Sequence, residues 1–218
     1  MKTILVTGGL GFIGSHTCVV LLEKGYKILI LDSLINSSKK VIEKIKKIFS
    51  LTKFDLNEQI QFYECDLRDK FKLEKIFTKI TSESKKIDAV IHFSGLKAVE
   101  ESVKDPLRYF DFNVLSTINL LKIMEKFNCK KIVFSSSATI YGNSGKDSNI
   151  KEDADIDPKN PYGETKVLIE KILQNLFLSS NSWSISILRY FNPIGAHPSG
   201  LIGENYLGLP NNIFPIIN

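Results

Sequence analysis

Tyr162 and Lys166 stand four residues apart in the segment NPYGETK. At helical spacing both side chains lie on one face. Free tyrosine is only about one part in a thousand phenolate at neutral pH, because its pKa lies near ~10. A neighbouring ammonium favours the phenolate, so the pair suits removal of a proton from an alcohol. YxxxK alone is a weak signal, since many amphipathic helices contain it. Upstream, FSSSATIYG places Ser135, Ser136 and Ser137 at the end of an apolar run. A serine there either presents its hydroxyl to a substrate oxygen or caps the loop backbone. The strand-end position, read with the downstream YxxxK, favours the first.

A third segment, TGGLGFIG, carries Gly8, Gly11 and Gly14 spaced by three, and Gly9, Gly11 and Gly14 also satisfy GxGxxG. Such glycines permit a tight turn and close backbone approach to a pyrophosphate. The last one lets the helix pack near the strand, and the helix N-terminus offers free N–H groups to the anion. Asp32 follows 18 positions after Gly14, close to the ~20 of a dinucleotide site. Its carboxylate suits ribose hydroxyls and would repel a 2′-phosphate, which favours NAD over NADP. Asp66, in CDLRD, either contacts an adenine amino group or caps a helix. His92, in IHFSG, reads as a packed strand histidine, and His16, His92 and His197 show no metal-ligand spacing.

These groups need elements to hold them. Apolar runs predict strands at Lys2–Thr7, Lys27–Leu31, Ile60–Cys65, Ala89–Phe93, Lys131–Ser135 and Ser184–Tyr190. Helical spacing marks Phe12–Lys24, the basic segment Ser38–Phe49, and Leu73–Ile80. Asp105-Pro106 opens a long helix to about Phe127, with Asp as cap and Pro at the first position. Pro161 opens another to about Leu178. Gly142–Asn160 reads as loop, and the residues after Tyr190 show no period. Alternating strands and helices imply a doubly wound, mostly parallel α/β sheet with ligands at the carboxyl ends of its strands.

Composition sets the outer bounds. The chain has 218 residues, enough for one domain or one and a half. Its 43% hydrophobic and 24% charged content argues against disorder and against a fibrous protein. The net charge of +5 comes from lysine, since only Arg68, Arg108 and Arg189 are arginine. Scattered lysines without interleaved arginine and aromatics read as a solvated surface, not a nucleic-acid interface. No apolar run reaches the ~18–20 residues of a membrane span, and the N-terminus is too short and polar for a signal peptide. Cys18, Cys65 and Cys129 form no disulfide framework or metal pattern, which suggests a reducing compartment, the cytoplasm.

Taken together, TGGLGFIGSHT, LDSLINS, VIHFSGLKAVEESV, VFSSSATIYG, NPYGETK, LRYFNPIGAHPSG and LPNNIFP resemble the extended short-chain dehydrogenase/reductase superfamily, and within it the UDP-glucose 4-epimerase family. The motifs run from Thr7 to Pro215. The resemblance implies a Rossmann-type NAD-binding domain over 1–190 carrying Ser-Tyr-Lys. It also implies that 191–218 begins a substrate-binding region of which most is absent.

By the same resemblance, Gly8, Gly11, Phe12, Ile13 and Gly14 match the pyrophosphate turn. Asp32, Asn36 and Ser37 match adenosine-side contacts, and Asp66 and Leu67 match those around adenine. Phe93, Ser94, Gly95 and Lys97 match the cofactor side of strand four, and Asn113 a position on the following helix. Ser137, Tyr162 and Lys166 match the catalytic set, with Tyr162 and Lys166 also on the cofactor. Tyr190 and Phe191 match positions near the nicotinamide. Lys97, Ser137, Tyr162, Asn192, Asn211 and Asn212 match substrate-side positions. The implied reaction interconverts UDP-galactose and UDP-glucose in galactose metabolism: Tyr162 takes the 4-hydroxyl proton, hydride moves from C4 to NAD, the 4-keto sugar turns over, and hydride returns to its other face. A homodimer through the two long helices is also implied.

Four positions depart from the family pattern: Ser94 replaces a small apolar residue, Glu100 a glycine, and Glu164-Thr165 the frequent Lys-Ser. Sugar-nucleotide dehydratases of the superfamily carry an Asp-Glu acid pair after the strand-five Ser/Thr, where this chain has Ala138-Thr139. A decarboxylase or a non-catalytic NAD-binding module completes the alternatives.

Overall fold

Strand β1 (Thr3–Thr7) is buried along its whole length, so both of its faces need cover. That is the signature of a central strand in a parallel sheet. A computed structural model describes residues 1–50, 59–83, 86–143 and 149–204. Asn211 and Asn212 lie outside the described residues. The elements run β1, α1 (Phe12–Glu23), β2 (Lys27–Asp32), α2 (Lys40–Ser50), β3 (Ile60–Glu64), α3 (Lys70–Ser82), β4 (Ala89–His92) and α4 (Val99–Lys104). They continue with α5 (Pro106–Tyr109), a π-helical stretch (Phe110–Leu115), α6 (Ser116–Lys126), β5 (Lys131–Ser137), a 3-10 turn (Ala138–Tyr141), α7 (Pro161–Ser179) and β6 (Ser184–Tyr190).

The sheet order is β3-β2-β1-β4-β5-β6, with every pair parallel. This is the doubly wound, Rossmann-type arrangement expected from the strand–helix alternation. The strand order reverses between β1 and β4, so a crevice opens beyond their carboxyl ends. The glycine turn leaves β1 there, and Phe93-Ser94-Gly95 leaves β4.

Period-two alternation divides the core. Leu5, Leu29, Leu31 and Val90 pack with Leu73 and Phe77 of α3, Leu120 and Met124 of α6, and Leu173 of α7. Ile4, Val6, Ile28 and Ile30 face the other way, onto Cys18, Val19 and Leu22 of α1 and Ile45 and Phe49 of α2. Each fully buried side chain of this size contributes about 1.5–3 kcal/mol. The first segment after β6 turns back to this second layer: Ala196 and Gly203 form an antiparallel bridge, and Ile202 packs in the same cluster.

Three expectations need correction. The helix opened by Asp105-Pro106 does start there and ends at Lys126, but its middle is π-helical. A separate short helix, α4, precedes it. It stops because Asp105 precedes proline, which disfavours helical backbone there, and its φ of −137° is outside the helical range. Strand β5 does not end at Ser135; it continues to Ser137, paired through Ser137↔Tyr190. Helix α3 starts a turn earlier than its apolar spacing suggests, because Asp69 caps it by accepting from Lys72 N at 2.9 Å. Among the described residues no helix is long and apolar enough to cross a membrane.

Candidate active site

The glycine turn is shaped by backbone contacts. Gly8 adopts φ +66°, and a Cβ there would sit 2.8 Å from Ser94 N. A Cβ on Gly14 would fall 2.2 Å from Gly8 O. Helix α1 therefore packs as near the turn as a missing side chain allows. Its first intrahelical bond is Ser15 N to Gly11 O at 2.9 Å. The N–H groups of Phe12, Ile13 and Gly14 precede that bond and have no intrahelical acceptor. They form an anion cradle at the positive end of the helix.

Asp32, at the end of β2, is buried. It accepts from Leu10 N at 3.1 Å, Leu34 N at 2.9 Å and Ser37 Oγ at 2.7 Å. The carboxylate thus ties the glycine turn to the β2 exit while keeping its charge beside the cradle. Ser37 reaches this corner through Asp32, and Asn36 is exposed. Leu67 is buried. Asp66 accepts from Arg68 Nε at 3.1 Å and Nη2 at 2.7 Å, and Arg68 Nη1 reaches Asp111 at 2.6 Å. Burial alone would raise the Asp66 carboxyl, but the Arg68 hydrogen bonds hold it below its usual range.

The β4 exit is fixed by Asn113. Its Oδ1 accepts from Leu96 N at 2.8 Å, and its Nδ2 donates to Leu96 O and to Thr165 Oγ1, each at 3.1 Å. The π-helical stretch brings this side chain to the strand end. Lys97 lies just beyond, exposed and paired with Glu204 at 3.3 Å.

Helix α7 carries Tyr162 and Lys166. Asn160 caps it, accepting from Gly163 N at 2.8 Å, and Pro161 occupies the first position. Tyr162 is buried with its ring edge-on to Tyr109, centroids 6.4 Å apart. Burial pushes its phenol above the usual value, and a hydrogen bond with Ser137 opposes the rise. Ser137 Oγ already accepts from Thr139 N at 3.2 Å and Thr139 Oγ1 at 3.0 Å. Its own O–H is therefore the group left to donate to the tyrosine oxygen. Lys166 Nζ donates to Ser135 O at 2.8 Å and lies 5.7 Å from the centre of the Tyr162 ring. Burial lowers its pKa to about 8, against the opposing charge of Glu170.

The structure thus brings Ser137, Tyr162 and Lys166 together and sets Tyr190 opposite Ser137 in register. Phe191, at 65% exposed, and Asn192 lie beyond the strand end on the surface.

His92 is a packed histidine, as its strand position suggested, but it is also a connector. Thr117 Oγ1 donates its one hydrogen to Asn113 O at 2.6 Å, so it accepts from His92 Nε2–H at 2.9 Å. His92 Nδ1 then accepts from Thr7 Oγ1 at 2.6 Å. The imidazole is neutral, and burial followed by the Lys166 charge lowers its pKa to about 3. Sequence reasoning also passed over Glu170, although Tyr162, Lys166 and Glu170 continue one stripe at four-residue steps. Among the described residues, no three His, Cys, Asp or Glu side chains gather as a metal site.

The family model described as GDP-mannose 4,6 dehydratase matches residues 5–217. The chain is 50% identical over 214 residues to UDP-glucose 4-epimerase of Bacillus subtilis, covering 98% of this chain and 59% of that protein. It is 48% identical over 216 residues to UDP-glucose 4-epimerase 2 of Arabidopsis thaliana, with coverage of 99% and 59%. The chain therefore spans about three fifths of the length of these curated relatives. Among solved structures, UDP-glucose 4-epimerase from Bifidobacterium longum in complex with NAD+ and UDP aligns with TM-score 0.89 at 45% identity, covering 99% of this chain and 61% of that one. A second, from Stenotrophomonas maltophila with bound NAD and formylated UDP-arabinopyranose, gives TM-score 0.89 at 41% identity, with coverage of 100% and 61%.

Proposed function

The chain belongs to the GDP-mannose 4,6 dehydratase family, and from that premise we propose that its site performs NAD-dependent C4 epimerisation, interconverting UDP-galactose and UDP-glucose. The observation that carries the reading is the placement of Lys166 Nζ, fixed by Ser135 O at 2.8 Å and 5.7 Å from the centre of the Tyr162 ring, at the strand ends next to the glycine cradle. NAD fits the residues present: Gly8 and Gly14 leave backbone where a Cβ would collide, and Asp32 puts a buried carboxylate where ribose hydroxyls would lie.

NAD, when bound, would supply the hydride acceptor and donor for the sugar C4. Tyr162 Oη takes the proton of the sugar 4-hydroxyl and later returns one to O4. Ser137 donates to the same oxygen and holds it within reach. Lys166, fixed by Ser135 O, stabilises the phenolate and stands where a nicotinamide ribose would be held. The glycine cradle and the first turn of α1 would hold the pyrophosphate, and Asp32 would select NAD over NADP by repelling a 2′-phosphate. Ala138 and Thr139 follow Ser137 where a dehydratase would carry acids, and Thr139 instead bonds Ser137. No carboxyl stands there to protonate a leaving hydroxyl, which favours epimerisation within the family.

A homodimer is part of the proposal. Ile118, Leu121, Ile172 and Leu176 line a groove of about 330 Å³ between α6 and α7, a face suited to the same helices of a second copy. A role in galactose metabolism in the cytoplasm fits the reaction and the three buried, unpaired thiols.

The test is conversion of UDP-galactose to UDP-glucose by the purified chain, with the bound nucleotide released and identified. Turnover with NAD bound is the expected result. NAD bound without turnover makes the chain a cofactor-binding module, and neither overturns the cofactor assignment as well.

A further inference from the structure

Behind the catalytic set lies a buried ion pair that the mechanism above does not use. Glu170 sits one helical turn beyond Lys166 and is 2% exposed. Its Oε1 accepts from Ser136 Oγ and from Arg189 Nε at 3.2 Å, and its Oε2 accepts from Arg189 Nη2 at 2.8 Å. Arg189 Nη1 donates to Tyr141 Oη at 2.7 Å and to Glu152 O at 2.6 Å. Ser136 and Arg189 are partners in the β5–β6 register. One carboxylate therefore joins α7, β5, β6 and the end of the 3-10 turn. Two of its tethers bracket Ser137: Ser136 immediately before it, and Tyr141 at the far end of the turn that Ser137 begins.

A buried carboxylate with three donors is expensive to desolvate, and a stable fold can replace such a pair by apolar residues. Its placement is what needs explaining. We propose that Glu170, built on the epimerase reading above, is a positioning residue for the Ser137–Tyr162–Lys166 set: it clamps the strand behind Ser137 and places a negative charge on the Lys166 side of α7. Lys166 has no acid as its hydrogen-bond partner, since Nζ donates to the Ser135 carbonyl and otherwise faces the rings of Phe134 and Tyr162. The titratable and charged groups around it are Tyr162 and Glu170 on its own helix and neutral His92 on β4. Arg189 and Tyr190 stand on β6, and Tyr109 stands on α5 with its hydroxyl on Glu101. Glu170 is the acid whose charge offsets the burial of Lys166 and keeps the ammonium beside the phenol.

The test needs no sugar nucleotide. Lys166 ionisation is read in the full chain across pH as the Cε chemical shift of isotope-labelled lysine, assigned by its loss in Lys166→Met. Glu170→Gln keeps the shape and removes the charge. The expected result is a fall of the Lys166 midpoint by roughly one pH unit, with Glu170→Asp returning part of the shift. If Glu170→Gln does not melt cooperatively, the double variant Glu170→Gln/Arg189→Gln removes both charges and is expected to show a fall in the same direction. A folded variant with lowered melting temperature but an unmoved midpoint gives Glu170 a structural role only and overturns the proposal. Turnover is scored separately. A moved midpoint in a chain without epimerase activity sustains this inference and removes the epimerase reading; turnover with an unmoved midpoint does the reverse.

Discussion

Asn113 and Leu96 form a two-way amide pair: Oδ1 accepts from Leu96 N at 2.8 Å and Nδ2 donates to Leu96 O at 3.1 Å. The side chain thereby imitates a strand neighbour for a loop that leaves the sheet. It does so from a π-helical stretch, where a widened turn changes the direction of the side chain. Asn113→Ala leaves both groups of Leu96 unpaired in a buried place, at about 1–3 kcal/mol each. Faster amide exchange at Leu96 and weaker NAD binding are expected in hydrogen-exchange and titration experiments. Unchanged exchange would mean that the loop holds itself.

Tyr162→Phe removes the proton acceptor and leaves the packing against Tyr109. Turnover of UDP-galactose is expected to fall by about 10²–10⁴, the range of general acid–base contributions, while NAD affinity stays close to that of the parent. Retained turnover would assign the base to another group.

Gly14→Ala places a methyl 2.2 Å from the Gly8 carbonyl oxygen, and backbone cannot rotate away as a flexible side chain can. A cost of about 1–3 kcal/mol from overpacking follows. We expect a lower melting temperature and at least about tenfold weaker NAD binding by calorimetry. Normal affinity would show that the cradle is more compliant than its contacts indicate.

Asp32→Asn withdraws the charge facing the ribose site and one acceptor from the Leu10, Leu34 and Ser37 corner. The ratio of NADP to NAD affinity is expected to rise. An unchanged ratio would locate cofactor selection elsewhere in the β2 exit.

His92 couples stability to acid. Its folded pKa is lowered to about 3 from 6.5, so between those values the unfolded chain binds a proton that the folded chain refuses. Stability from this group is complete above pH 6.5 and is lost as pH falls toward 3, with a slope of about 1.4 kcal/mol per pH unit. Denaturant melts of the parent and of His92→Gln should diverge in slope across that window. Parallel curves would mean that the imidazole is protonated in the fold.

Much of the fold was legible because burial leaves plain marks on a sequence. Ile4-Leu5-Val6 and Ile28–Leu31 are continuous apolar runs, as strands covered on both faces must be. The glycine turn was legible because only a missing Cβ permits the approach of Gly14 to Gly8 O. Tyr162 and Lys166 were legible because their spacing is local, and Asp105 and Pro106 announced a helix start by their own backbone preferences.

The remainder depended on contacts between residues far apart in the chain. No local pattern marks the π-helical stretch, whose role is to carry Asn113 to Leu96, 17 positions away. The neutral tautomer of His92 follows from Thr117 having spent its hydrogen on Asn113 O. Ser136 and Ser137 read alike as neighbours, but β5 continues through both. Only the packing of α7 against β5 gives Ser136 to Glu170 and sets Ser137 beside Tyr162, two turns earlier on the same helix. Sequence determined which groups are present and which elements carry them; tertiary packing alone decided which of them meet, because burial lowers the pKa of Lys166 and its contact with Ser135 O joins α7 to β5 across 31 positions.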